Sequence, residues 1–354
     1  MGGMGHSSRE VQLRQKLLRV IPGVTPGLVL SVFHGGRRKM SLEVGQTHTY
    51  YDWASLTKVV LTTTALMDSL AQKSFHLDDR LDRHLSWAPS GVTVRTLLNH
   101  TAGFEWWRPY FKSMPMHSSV QEGWFEIQRQ LSKEIPNRRR ARAVYSDLDF
   151  LYLGFLLERL HEKPFLNLAQ ELFEKLGMHD THLNANNRPR FSRQRYAPTH
   201  RCSWRGKLLQ GEVDDENAWS MGGVAPHAGV FGPMRDLETW ALQIRKAALG
   251  EKGVLEPRVV RSFLRRSLDR RVGDWALGFM MPTPGVSSCG PRFSLGSVGH
   301  TGFTGTSVWW DPKVDLLVLI LSNRVHPNRD NNRFKDLRPQ IHTWIYDSVV
   351  RESS

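Results

Sequence analysis

Tyr51-Asp52-Trp53-Ala54-Ser55-Leu56-Thr57-Lys58-Val59-Val60 holds the one serine of the chain that is followed three residues later by a lysine. An apolar, helix-compatible run over 59–70 continues from it. On a helix, residues three apart share a face, one turn from each other, which would set the Lys58 amine beside the Ser55 hydroxyl. A serine hydroxyl is a poor nucleophile near neutral pH and needs a neighbouring base. If Ser55 also opens the helix, its backbone N–H points into the same space and can stabilise an oxyanion. Spacing alone is weak evidence: about one such match is expected by chance at ordinary residue frequencies. The plain alternative is an N-capping serine with a lysine on the solvated face of the first turn.

The chain has 354 residues, 40% of them hydrophobic, enough for one large domain with a substantial core. No apolar run reaches membrane-spanning length, so no membrane span is expected. The opening Met1-Gly2-Gly3-Met4-Gly5-His6 lacks the apolar centre of a secretory signal, and His6 breaks the myristoylation pattern. A cytoplasmic location is the expectation. Cys202 and Cys289, the only cysteines, lie far apart and without metal-ligand spacing, which suits free or buried thiols. The formal net charge is +14, with clusters at Arg37-Arg38-Lys39, Arg138-Arg139-Arg140 and Arg265-Arg266. None sits in a nucleic-acid-binding module, so a solvated basic surface is expected and no nucleic-acid partner.

Hydrophobic patterning gives a short helix over 9–20 and a hairpin of strands 28–34 and 40–44 around Gly35-Gly36. The Ser55 helix follows. The middle of the chain reads as helical at 94–99, 120–131, 148–162 and 164–176, and a further helix covers 233–249. Strands are expected at 275–281, 293–298, 305–310 and 315–322, then a closing helix over 336–350. Strands near both ends with helices between them imply a mixed α+β fold: an antiparallel sheet flanked by helices, with a mainly helical lobe inserted. The whole of 1–354 is expected to form a single domain. Its sheet lobe would cover about 9–75 and 228–354, and its helical lobe about 76–227.

Three further segments join the first. Tyr145-Ser146-Asp147 precedes a helix, His300-Thr301-Gly302 lies in a glycine-rich stretch, and Leu97-Leu98-Asn99-His100-Thr101-Ala102-Gly103-Phe104 ends a helix at a glycine. Together with Ser55-Leu56-Thr57-Lys58 they resemble the serine beta-lactamase and penicillin-binding-protein superfamily, marked by S-x-x-K, a second S-x-N or Y-x-N element and K-T-G. Tyr145 makes the chain look like the branch of class C beta-lactamases, D,D-peptidases and family VIII esterases. Matching blocks run in family order from about residue 26 to the end.

The resemblance implies a beta-lactamase/transpeptidase-like fold and a serine hydrolase that works without cofactor or metal. Ser55 would be the nucleophile, with Lys58 and Tyr145 sharing the proton transfers. The N–H groups of Ser55 and Phe303 would form the oxyanion hole, and Asp147, His300, Thr301 and Gly302 would contact substrate. The substrate is expected to be a small ester, amide or peptide. Esterase-like chemistry comes first, a D-amino-acid or peptidoglycan-type peptidase or beta-lactamase second, and a catalytically silent scaffold or ligand-binding protein is the non-enzymatic alternative.

Two positions depart from the family pattern. Asp147 stands where the family has Asn; an ionised carboxylate only accepts hydrogen bonds and should favour a charged Lys58, moving base duty toward Tyr145. His300 stands where the family has Lys, replacing a permanent cation with an imidazole that ordinarily titrates near ~6.5. The Arg138–Arg142 run, which leads into Tyr145, could restore positive charge, although a solvated loop is the simpler use. Asp214, Asp215, Glu216 and His227 invite a metal reading, but without the paired-His spacing of a metallohydrolase. Trp106, Trp107, Tyr110 and Phe111 are core residues or the wall of an acyl pocket. His100 reads as a structural histidine.

Overall fold

A computed structural model describes residues 8–116 and 118–350; the opening residues 1–7, read above for targeting signals, lie outside it. Helix α1 (Ser8–Val20) leads into strands β1 (Gly27–His34) and β2 (Arg37–Gly45), turned at Gly35 and Gly36. Both glycines have positive φ (58° and 73°), the left-handed backbone a tight hairpin requires. Later come β8 (Val298–Thr301), β9 (Ser307–Asp311) and β10 (Leu316–Ser322), and the five strands form one antiparallel sheet in the order β2-β1-β10-β9-β8. Short strands β3 (Tyr51–Asp52), β4 (His182–Leu183) and β7 (Val230–Gly232) form a second sheet, and β5 (Arg201–Cys202) pairs with β6 (Lys207–Leu208).

Each face of the main sheet is covered, which is why β10 is buried along its whole length. Leu316, Val318 and Ile320 pack with Leu13, Leu17, Ile341 and Ile345 of α1 and of α10 (Arg333–Val349). Leu317, Leu319 and Leu321 face a second core with Trp240 and Ile244 of α8 (Met234–Ala248). β2, at the sheet edge, alternates buried and exposed residues as a one-sided strand should. Between the sheet's two halves lie α2 (Thr64–Ala71), α3 (Val94–Leu98), α4 (Val120–Leu131), α5 (Asp147–His161), α6 (Phe165–Leu176) and α7 (Glu216–Ser220). The fold is a mixed helix and antiparallel-sheet architecture, as the pattern of the chain implies.

Several elements differ from expectation. The helix after Ser55 starts as a π-helix over Lys58–Thr63 and becomes α-helical only at Thr64. Thr64 Oγ1 donates to the Val59 carbonyl five residues back (2.7 Å) and Thr62 Oγ1 to the Pro226 carbonyl (2.6 Å). The first hydroxyl bonds within the wide turn and the second ties it to the segment around Pro226. Residues 275–281 form no strand, only isolated bridges from Met280 to Trp275 and Gly299. The expected strand at 293–298 is displaced: β8 starts at Val298 and includes His300 and Thr301, because their ladder partners on β9 are Val308 and Ser307. α9 (Pro257–Leu264), with Pro at its first turn and a Glu256 cap, was not expected.

Candidate active site

Ser55 sits at the mouth of the π-helix, directly after a strained residue: Ala54 has φ 47°, unfavourable for a side chain with a Cβ. The turn is held by its neighbours. Trp53 N–H donates to the Val230 carbonyl (2.9 Å) and Ala54 N–H to Asp52 Oδ1 (2.8 Å). Asp52 Oδ2 accepts the Asp214 N–H (2.7 Å). Burial and the adjacent Asp214 push the Asp52 carboxyl up to about 7, against the pull of those two amides.

Lys58 points back along the first turn and is fully buried. Its Nζ donates to Ser55 Oγ (3.1 Å) and to the His227 carbonyl (3.0 Å), and it pairs with Asp147 Oδ1 at 2.7 Å. Burial pulls the ammonium down, but the Asp147 carboxylate and the Tyr145 hydroxyl outweigh it, so Lys58 titrates above its ordinary value. Burial likewise raises the Tyr145 phenol, opposed mainly by the Lys58 ammonium and less by Ser55. At rest, both candidate bases carry their protons.

Tyr145 and Asp147 are placed by the start of α5. Ser146 caps the helix, its Oγ accepting from the N–H groups of Leu148 and Asp149 and donating to the Glu105 carbonyl (2.6 Å). Asp147 falls in the first turn, where the helix dipole favours a carboxylate. The Tyr145 ring stacks on Trp275 at 5.7 Å and meets His100 edge-on at 5.0 Å. His100 is buried in a left-handed conformation (φ 62°). Its Nδ1 accepts the Ser146 N–H (3.2 Å) and lies 2.7 Å from Asp149 Oδ2. Burial drives His100 well below its usual pKa and Asp149 well above, so desolvation disfavours charge on either member of the pair.

The β8 end of the sheet closes the other side. A Cβ on Gly302 would meet Thr306 Oγ1 at 2.0 Å and the Trp53 carbonyl at 2.5 Å, so the turn after β8 lies directly on the backbone that leads to Ser55. Two hydroxyls fasten it: Thr306 Oγ1 donates to the Trp53 carbonyl (3.0 Å) and Thr304 Oγ1 to the Asp52 carbonyl (2.7 Å). The N–H groups of Ser55 and Phe303 are committed to no acceptor among the described residues. His300 Nδ1–H donates to the Thr301 carbonyl (2.9 Å) and its Nε2 is buried with no partner. Burial, reinforced by Lys58, lowers His300 to about 3, so it is a neutral imidazole and not the titrating cation its ordinary pKa suggested.

These groups line one cavity of about 690 Å³. Trp106, Trp107 and Phe111 form part of its wall; Tyr110 does not, its hydroxyl bonding Glu134 (2.8 Å) away from the site. The Arg138–Arg142 run stays off the cavity: Arg138 binds the Ser90 carbonyl, and Arg140 the Phe104 carbonyl and Glu105. Sequence reasoning missed four basic residues that do line the cavity, Arg324, Arg329, Lys335 and Arg338. They lie beyond β10, where no motif marks them.

Two side-chain clusters have metal-ligand geometry, Asp147–Asp215–His227 and His200–Cys202–Glu216. In the first, Lys58 already balances Asp147 and His227 Nε2 bonds Asp215 (3.0 Å), so a divalent ion would enter beside a fixed ammonium. In the second, Asp214 holds His200 Nδ1 (2.6 Å) and Arg329 holds Glu216 (2.6 Å). Both cysteines are free and buried. No helix of the described residues is long and apolar enough to cross a membrane.

Residues 15–341 match the beta-lactamase family model. The chain belongs to the beta-lactamase family. A protein of Escherichia coli (strain K12) named as a D-alanyl-D-alanine carboxypeptidase is 27% identical over 340 residues, covering 86% of this chain and 77% of the relative. Among solved structures, unliganded simvastatin synthase (LovD) from Aspergillus terreus superposes with a TM-score of 0.72 at 20% identity, covering 98% of this chain and 100% of that one. EstCE1, described as a hydrolase with promiscuous acyltransferase activity, superposes with a TM-score of 0.67 at 17% identity, covering 94% and 97%. At those identities the two structures establish the fold.

Proposed function

We propose that this beta-lactamase-family protein is a serine hydrolase that forms an acyl-enzyme on Ser55 and releases it to water, acting on small carboxylic esters. The observation that carries this reading is the buried Lys58 Nζ, 3.1 Å from Ser55 Oγ at the edge of an open cavity. Lys58 is an ammonium at rest, so it must give up a proton before it can take one. Asp147, 2.7 Å away, is the acceptor at hand. Lys58 passes a proton to Asp147 as it takes the Ser55 proton, and Ser55 Oγ bonds to the substrate carbonyl carbon. The carbonyl electrons move onto oxygen, which the Ser55 and Phe303 amides hold. As the carbonyl re-forms, the bond to the leaving group breaks and Tyr145, protonated at rest, supplies its proton. Water then attacks the acyl-enzyme with the same groups in reverse order.

Peptidase chemistry is the second reading, favoured by the carboxypeptidase name of the curated relatives. A neutral His300 at the cavity wall gives no permanent cation for a substrate carboxylate there and favours the ester reading. Intact-protein mass after exposure to a fluorophosphonate tests the nucleophile. One adduct on wild type and none on Ser55→Ala is the expected result; no adduct on either would favour a silent scaffold. Turnover of nitrophenyl esters against D-alanyl-D-alanine peptides then separates the two chemistries.

A further inference from the structure

Along the cavity three basic side chains converge without an ion-paired carboxylate; Asp214 and Asp336 act on Arg324 and Lys335 only at longer range. Arg324 is fully buried; Nη1 donates to the Asn331 carbonyl (2.8 Å), whereas its Nε and Nη2 have no acceptor. Arg338 is buried, its Nε unpartnered, and its guanidinium lies 5.4 Å from the Phe334 ring. Lys335 Nζ sits 5.6 Å from the Phe303 ring centre and Arg324 Cζ 4.9 Å from it. Among the described residues, none of the three makes an ion pair. Arg329, the fourth cation, differs: Asp214 (2.9 Å) and Glu216 (2.6 Å) neutralise it.

An uncompensated buried charge is costly, and a fold keeps one only where something else balances it. The strain is visible in the titration of the group: burial and then Arg324 pull Arg338 down to about 9, and Lys335 is lowered by burial, Arg324 and Arg338. A solvated basic surface would not explain guanidinium groups that are closed to bulk water yet line the catalytic cavity. Because Phe303 supplies a free amide beside Ser55, the cluster stands one side chain from the reacting carbonyl. The same cavity is also walled by Trp106, Trp107 and Phe111.

We infer that Arg324, Lys335 and Arg338 form a subsite for a dianionic group of the substrate, a phosphate monoester or a pair of carboxylates. The substrate is then an ester with an apolar portion against the tryptophans and a dianion against the basic cluster. This rests on the hydrolase reading of the same cavity. Lys335 is exposed and solvated, so the groups lacking countercharge are the buried Arg324 and Arg338. A single carboxylate would leave one of them unbalanced, whereas a dianion matches both and presents enough oxygen atoms for the vacant N–H donors.

The test is calorimetric titration of the full-length Ser55→Ala chain with phenyl phosphate, phthalate, benzoate and benzyl alcohol. It reads binding without turnover, so failure of the subsite and failure of the nucleophile are separable: the fluorophosphonate experiment reports only the second. The expected result is at least about tenfold tighter binding of a dianion than of benzoate, with benzyl alcohol weakest. The tighter of phenyl phosphate and phthalate identifies which dianion the site takes. Arg338→Met should weaken the dianion about tenfold or more while raising Tm, because it removes an unpaired buried charge; a merely structural arginine would lower Tm and leave affinity unchanged. Lys335→Gln, at an exposed position, should weaken the dianion as well and covers the case in which Arg338→Met does not fold. Equal affinity for benzoate and the dianions, or unchanged affinity in the folded variants, overturns the inference.

Discussion

Lys58 and Asp147 form an ion pair at 2.7 Å in which the lysine side chain is wholly withdrawn from solvent. The pair couples the two motifs that the chain separates by nearly ninety residues, and it sets the protonation state from which any reaction at Ser55 starts. Burial alone would pull the Lys58 pKa down; Asp147 first, and then Tyr145, raise it above its ordinary value.

Replacing Asp147 by Asn should therefore move the rising limb of the kcat/KM pH profile toward lower pH. Without the carboxylate, burial dominates and Lys58 loses its proton more easily. The measurement is a pH–rate profile on one activated ester for both proteins; superimposable profiles would take Asp147 out of the proton path.

Gly302→Ala should damage the oxyanion hole. Its Cβ has no room against the Trp53 carbonyl and Thr306 Oγ1, so the turn must lift from Ser55 and carry the Phe303 amide with it. A loss of about 10²–10³-fold in kcat is expected, the usual cost of removing one oxyanion donor. Steady-state kinetics beside a thermal melt would distinguish this from general unfolding.

His300 should remain neutral through the physiological range. NMR of labelled imidazoles, with the His300 signal assigned by its loss in His300→Gln, should show that ring not titrating between pH 8 and 5. The linkage follows from the depressed folded value: the unfolded chain takes a proton near ~6.5 and the folded chain only near about 3. His300 therefore contributes stability above the unfolded value that is lost as pH falls toward 3. A His300 ring that titrates near ~6.5 in the folded protein would contradict its burial.

Trp107→Ala should alter acyl preference. Removing the ring enlarges the apolar end of the cavity, so KM for aromatic or long-chain acyl esters should rise about tenfold or more relative to acetyl esters, on the scale of a few lost methylene contacts. Competition between two esters in one reaction measures that ratio directly; an unchanged ratio would place the acyl group elsewhere.

Much of the fold could be read from the chain because its signals are local. The Gly35-Gly36 hairpin, the amphipathic helices of the middle third and the apolar run of β10 each follow from periodicity and turn chemistry over a few residues. The misreadings have equally local causes. Residues 275–281 are apolar enough for a strand, yet the chain turns back at Gly278 (φ 81°), so Trp275 bridges Met280 and Met280 bridges Gly299 in place of a ladder along β8. The π-helix at Lys58 depends on threonine hydroxyls finding the carbonyls of Val59 and Pro226, and the second of these is 164 residues away.

The sequence by itself picked out the side chains proposed to carry chemistry: a serine with a lysine one turn on, a tyrosine before a capped helix, and a glycine turn after a strand. Helical and strand periods are enough to say that these groups share faces with their neighbours. Only the tertiary structure decided the charge on each group and what surrounds it. The Asp147 carboxylate raised the pKa of the buried Lys58 against its desolvation, burial made His300 neutral, and the segment after β10 with the start of α10 brought Arg324, Lys335 and Arg338 to the cavity. Desolvation and long-range Coulomb interaction depend on what the completed fold places nearby, and spacing along a chain does not specify it.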